Sequence, residues 1–152
     1  SDSGAQPVRP SVESLLDAER AAGIRTADFY RGFQAQANRI KRELLKFLIG
    51  CAEAGQTVVG YGAAAKGNTL LNFAGVRSDL LPFVVDKNPA KQGKYLPGSR
   101  IPICPPEAML ALRPDYVLIL PWNIRAEIRA EYAGLEQQGS RFVVAVPQWS
   151  VL

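Results

Sequence analysis

A chain of 152 residues, 47% hydrophobic and 21% charged, has the size and composition of one ordinary globular domain whose core needs no covalent staples. Its net charge of +4 is mild and dispersed: it suits small acidic ligands and gives no nucleic-acid footprint. The chain has no histidine, and Cys51 and Cys104 are far apart with no C-x-x-C motif, so no zinc-ligand pattern exists.

Both thiols read as buried groups in a reducing compartment. Any general acid–base chemistry would fall to Asp, Glu, Lys or Tyr. No apolar run approaches the ~20 residues of a membrane span. No secretory pattern opens the chain, and the cytoplasm is the expected location.

In chain order, residues 1–10 are polar with Gly and Pro and read as a disordered tail or cloning remnant. Residues 11–55 form a helical lead-in expected to pack on a sheet. Ser11 to Ala22 is a short helix stopped by Gly23. Thr26 is expected to cap a long helix, in which Phe29, Phe33, Ile40, Leu44, Phe47, Leu48 and Cys51 recur at helical spacing. The first half of that helix would suit packing on a preceding domain.

Residues 56–152 alternate strand and helix. Strands are expected at Thr57–Tyr61, Leu81–Asp86, Ile101–Ile103, Tyr116–Leu120 and Arg141–Val146. Helices are expected at Lys66–Phe73, from Pro106 through Leu112, and at Ala126–Gln138, the last with a weak point at Gly134. The strands are short, continuously apolar runs, as a parallel sheet buried on both faces requires. The implied fold is α/β: a doubly wound parallel sheet of about five strands, order 3-2-1-4-5, with a long N-terminal helix.

One segment dominates the functional reading. Thr57 to Tyr61 feeds a glycine-rich turn that opens a helix, leaving unpaired N–H groups where a phosphate can dock. Gly60, Gly62 and Ala65 fit the G-x-G-x-x-G/A fingerprint. Lys66 stands in the first helical turn, where a cation opposes the helix dipole. It is either a solvated lysine or one that neutralises a bound phosphate. The motif is not a Walker A loop, because Gly67 is followed by Asn68 where lysine is needed.

Asp86 ends the second strand roughly twenty residues beyond Gly62, the interval at which an acidic residue meets a ribose hydroxyl. The polar loop that follows carries Lys87, Lys91, Lys94 and Tyr95, and leaves the sheet edge that should bear the ligand. Trp122 and Asn123 follow the fourth strand and should face the glycine turn across the switch point. Trp122 either stacks on a base or fills a gap above the sheet. Asp115 and Glu127 read as ordinary surface acids.

Three stretches carry a resemblance: Gly60 to Asn68; Val85 to Pro89 with Lys91 to Gly98; and Leu118 to Asn123. Together they resemble the C-terminal domain of S-adenosylmethionine-dependent sugar C-methyltransferases, a likeness running from about Phe29 to Val146. The resemblance implies a Rossmann-like end domain preceded by a cysteine-rich zinc module and a domain that binds S-adenosylmethionine. It also implies methylation of a ring carbon in a nucleotide-linked keto-sugar.

This chain lacks both the zinc cysteines and the Tyr/His/Glu catalytic set of the middle domain. It is therefore expected to be a substrate-binding piece with no catalytic or metal-ligating residue of its own, S-adenosylmethionine and zinc belonging to the missing N-terminal domains. By resemblance the glycine loop and the lysine-bearing loop grip the nucleotide diphosphate of the sugar, and the expected substrate-binding residues are Gly60, Tyr61, Gly62, Ala63, Lys66, Gly67, Asn68, Asp86, Lys87, Lys91, Lys94, Tyr95, Trp122 and Asn123. The expected partners are that nucleotide sugar and the preceding S-adenosylmethionine-binding domain, with no nucleic acid and no membrane. Two readings stay open beside this one: an NAD- or CoA-binding domain of an oxidoreductase or sensor, and a degenerate duplicate that mainly packs on its neighbour.

Overall fold

The structure, a computed structural model, describes residues 7–152. The expected tail at 1–10 lies outside the described residues over 1–6, and Pro10 already opens the first helix. The chain divides into two units, Ser1–Ala37 and Asn38–Leu152.

The first unit holds α1 (Pro10–Ala22), α2 (Ala27–Tyr30) and the start of α3 (Phe33–Glu53). Gly23 ends α1 in the left-handed region at φ +75°, returning its N–H to Arg20 and Glu19 carbonyls. The continuous helix expected from Thr26 is broken at Arg31–Gly32. Helix-interior glycine costs about 1 kcal/mol relative to alanine, and α2 is a single turn. Thr26 does not cap it: its hydroxyl donates instead to the Gly23 carbonyl at 2.7 Å. No residue of α1 or α2 is buried.

In the second unit, α3 buries Leu44, Leu48 and Cys51, spaced at four and three residues along one face. The chain then runs β1 (Val58–Tyr61), α4 (Ala65–Ala74), β2 (Val84–Val85), β3 (Ile103–Cys104), α5 (Pro106–Leu112) and β4 (Tyr116–Ile119). A 3-10 turn at Trp122–Ile124 leads into α6 (Arg125–Glu131), α7 (Ala133–Gln137), β5 (Arg141–Val144) and β6 (Ser150–Val151). Six strands form one sheet in the order β3-β2-β1-β4-β5-β6, parallel throughout except the β5–β6 pair. β6 was not expected: two residues carry no periodicity to read.

β2 and β3 are shorter than their apolar runs suggested, and β3 ends one residue later. The expected helix over 126–138 is also two helices. The break falls at Tyr132 and not at Gly134, where the Tyr132 ring packs edge-on to Tyr61 at 5.2 Å between centroids.

Alternation along β1 divides the core. Val58 faces a layer with Leu44, Leu48, Leu71 and Leu118, while Val59 faces one with Met109, Ile128, Leu135 and Phe142. β1 pairs with β2 on one side and β4 on the other, so the turns leaving β1 and β4 meet at the switch point of the sheet.

Candidate functional site

The glycine turn is shaped by close packing. Gly62 has φ +89°, and a Cβ there would lie 2.6 Å from Pro121 Cδ. A side chain is therefore excluded twice, by backbone strain and by contact. The Gly62 N–H donates to the Val85 carbonyl at 2.7 Å, and the Ala64 N–H donates to the Gly62 carbonyl at 2.8 Å, which bends the chain sharply. A Cβ at Gly67 would lie 2.5 Å from Leu120 Cβ, and one at Gly60 2.5 Å from Val84 Cγ1. Gly67 thus lets α4 pack closely on Leu120, just beyond β4, while Gly60 lets β1 lie close against Val84 of β2.

α4 begins without a side-chain cap, because its N-cap is Ala64. The Asn68 N–H reaches the Ala64 carbonyl at 2.9 Å, but among the described residues no acceptor meets the N–H groups of Ala65, Lys66 and Gly67. Three donors and the positive end of the helix dipole remain for an external acceptor.

Lys66 joins the two distant motifs. Its ammonium donates to Asn123 Oδ1 and lies 4.7 Å from the Trp122 ring centroid. Among the described residues no carboxylate pairs with it. Trp122 is half-buried against the Phe142 layer while its ring supports this cation.

Asp86 closes the other side of the turn. Its Oδ2 accepts the Ala63 N–H at 2.8 Å and the Lys91 ammonium at 2.9 Å, and its Oδ1 accepts the Asn88 N–H at 2.9 Å. Lys91 also donates to the Ala63 carbonyl at 3.0 Å. Burial alone would raise the Asp86 carboxyl, but the Asn88, Lys91 and Ala63 donors outweigh it and hold the group below its ordinary range.

The four loop residues thus part company. Lys87 turns away to Glu131, whose hydrogen bond raises the Lys87 ammonium above its ordinary range. Lys91 is neutralised by Asp86. Lys94 makes no ion pair among the described residues, and Tyr95 is 64% exposed. The Tyr61 side chain is buried against Tyr132 and does not reach the cleft.

A cleft of about 640 Å³ opens between the turn and the loop, lined by Ala63, Ala64, Asn68, Lys91, Lys94 and Tyr95. Sequence reasoning missed Asn72, which buttresses it: Asn72 Nδ2 donates to the Pro97 carbonyl and to the Asn68 carbonyl, both at 2.9 Å. The signal available was its position one helical turn beyond Asn68. A larger cleft of about 750 Å³ lies near the amino ends of β1 and β4, where Phe47, Tyr116 and Trp149 gather. It has no helix N-terminus, so the switch-point cleft is the better candidate for an anion.

Two further expectations need correction. Asp115 is not an idle surface acid: it accepts from the Thr57 N–H at 2.7 Å and the Thr57 hydroxyl at 2.9 Å, which lowers its carboxyl below the ordinary range. Cys51 is buried, and burial pushes its thiol up, with the Asp115 charge adding to the effect. Cys104, however, is only half-buried.

Residues 1–147 match the C-methyltransferase C-terminal domain family. This chain belongs to that family. The C-methyltransferase NovU of Streptomyces niveus is 39% identical over 145 residues, covering 95% of the chain and 34% of that protein. The chain therefore spans about a third of the length of this curated relative.

A nucleoside cofactor bound at a switch point is held through its ribose by the acid that ends the second strand. A carboxylate offers about four acceptor positions, and Asp86 has three filled by its own chain. It lacks the pair of free oxygens with which a carboxylate would hold a ribose diol. Nor do three His, Cys, Asp or Glu side chains cluster as metal ligands among the described residues.

Proposed function

We propose that this chain is the substrate-binding C-terminal domain of an S-adenosylmethionine-dependent C-methyltransferase that acts on a nucleotide-linked keto-sugar. The diphosphate of that substrate is held at the start of α4. The observation that carries this reading is the coincidence of three uncapped amides, at Ala65, Lys66 and Gly67, with an ammonium fixed beside them by Asn123 and Trp122.

In this reading each group has a limited task. The amides donate to phosphate oxygens. Lys94 balances the charge from the cleft wall and Lys66 from the first turn of α4, Trp122 and Asn123 hold Lys66 in place, and Tyr95 offers an exposed ring beside the cleft. S-adenosylmethionine, bound by a preceding part of the polypeptide, supplies the methyl group. The base that removes the proton beside the sugar carbonyl lies outside this chain, and so does the zinc module. The work of this domain is to fix the sugar's position, because a correctly placed reactant lowers the barrier to a bimolecular step. The enzyme is expected in the cytoplasm, where nucleotide sugars are available.

Thermal unfolding with uridine diphosphate, pyrophosphate and S-adenosylmethionine tests this. At about 100 times Kd, mass action adds about 2.7 kcal/mol, a rise of roughly 5–10 °C for a chain of this size. The diphosphate should produce that rise and S-adenosylmethionine should not. The reverse order refutes the proposal and restores a cofactor-binding domain.

A further inference from the structure

We infer that Asp86 and Lys91 are positioning residues that fix the glycine turn for its ligand, and that neither contributes charge to binding. The inference rests on the reading above, in which the turn holds a diphosphate.

Three contacts form a closed ring around Ala63. Ala63 has its N–H held by Asp86 Oδ2 at 2.8 Å and its carbonyl held by Lys91 Nζ at 3.0 Å, and the two side chains meet at 2.9 Å. Asp86 is tied in turn to its own loop: its Oδ1 takes the Asn88 N–H at 2.9 Å, and its carbonyl takes Gln92 Nε2 at 2.9 Å. The ring therefore joins two segments that sequence separates, the turn after β1 and the loop after β2.

Ala63 sits where such a device is needed. It follows Gly62, at φ +89°, and precedes Ala64, which cannot cap α4. No side chain within the turn can orient its peptide groups. Gripping both polar groups of Ala63 fixes the peptide planes that lead into α4 and so aims the three free amides. Donors fixed in advance bind charge without the cost of reorganising on contact.

Charge accounting separates this role from direct binding. The Asp86 side chain is 13% exposed and lies against Lys91, so the pair presents no net charge to the cleft. Lys66 and Lys94 have no carboxylate partner among the described residues and are the cations available to an anion. An exposed cation that binds phosphate makes affinity fall with salt, and a neutralised one does not.

The test uses the Asp86→Asn, Lys91→Met double variant, Asp86→Asn alone and Lys94→Met in the whole chain. Amide hydrogen exchange is followed by NMR, and affinities for uridine diphosphate and inorganic pyrophosphate are measured by calorimetry across a salt series. The Asp86→Asn, Lys91→Met double variant, which removes both charges together, should speed exchange at Ala63 and weaken diphosphate binding about tenfold, equivalent to about 1.4 kcal/mol, with the salt slope of the native chain. Lys94→Met should flatten that slope. Asp86→Asn leaves Lys91 without its counter-charge and should steepen it, a change that a purely structural role would not produce.

Unchanged exchange at Ala63 in the double variant overturns the inference. So does a slope as flat as that of Lys94→Met, or an Asp86→Asn slope no steeper than native. If the native chain binds neither probe, the diphosphate reading falls, and exchange at Ala63 alone then decides whether the ring holds the turn.

Discussion

Gly62 offers the sharpest test of how the turn is built. Gly62→Ala faces two separable penalties. An L-residue in the left-handed region costs about 1–2 kcal/mol, and φ here is +89°. The added methyl would also lie 2.6 Å from Pro121 Cδ and 2.8 Å from Pro121 Cγ. Forcing a group of that size into packed surroundings costs about 1–3 kcal/mol. The total is about 2–5 kcal/mol, a large share of the roughly 5–15 kcal/mol that holds a domain together. Gly75 provides the control: its φ is +79°, but an added Cβ meets nothing within 4 Å. Gly75→Ala should therefore lose only the backbone part, about 1–2 kcal/mol. Urea unfolding followed by circular dichroism measures both. If the two variants fall within about 0.5 kcal/mol, the additivity limit of such comparisons, the turn is not pressed against Pro121 and this account of the glycine is wrong.

Other expectations follow from the same contacts. Lys66→Met should weaken diphosphate binding about tenfold, near the strength of one charged hydrogen bond, while leaving the unfolding midpoint nearly unchanged; calorimetry beside urea unfolding checks both. Phe142→Ala empties a fully buried position between the sheet and the α6–α7 layer and should cost about 3–5 kcal/mol in urea unfolding. Asp115→Ala removes two bonds to Thr57; because the carboxylate is exposed, the loss should be about 0.5–1 kcal/mol. Asp86 and Asp115 both have carboxyls lowered by folding. Their contribution is full above the ordinary aspartate value of about 3.9 and is lost as pH falls through the lower folded values. Acid unfolding curves should show stability declining below about pH 4, and Asp115→Ala should flatten that decline.

The sheet was legible because buried parallel strands read as short apolar runs, and Thr57–Tyr61 and Tyr116–Leu120 could be placed almost to the residue. What failed was local. Gly32 broke a helix whose apolar spacing continued through it, and Tyr132 broke another for a tertiary reason, its ring packing against Tyr61. β6 is held by pairing with β5 and has no pattern of its own.

At the site, the glycine turn and Lys66 could be found because spacing encodes them. The partners of the acids and lysines could not. Whether Asp86 faces a ribose, Lys91 or solvent depends on how two loops meet in space. The same holds for Lys87, which looks equivalent to Lys91 in sequence yet pairs with Glu131 on α6.

The central claim is that the start of α4 receives a diphosphate, and a crystal structure of the chain with uridine diphosphate tests it directly. The account predicts phosphate oxygens within about 3 Å of the Ala65, Lys66 and Gly67 nitrogens, with the Lys66 ammonium alongside. Nucleotide density confined to the Phe47–Trp149 cleft, with the start of α4 covered by the chain's own side chains, would contradict it.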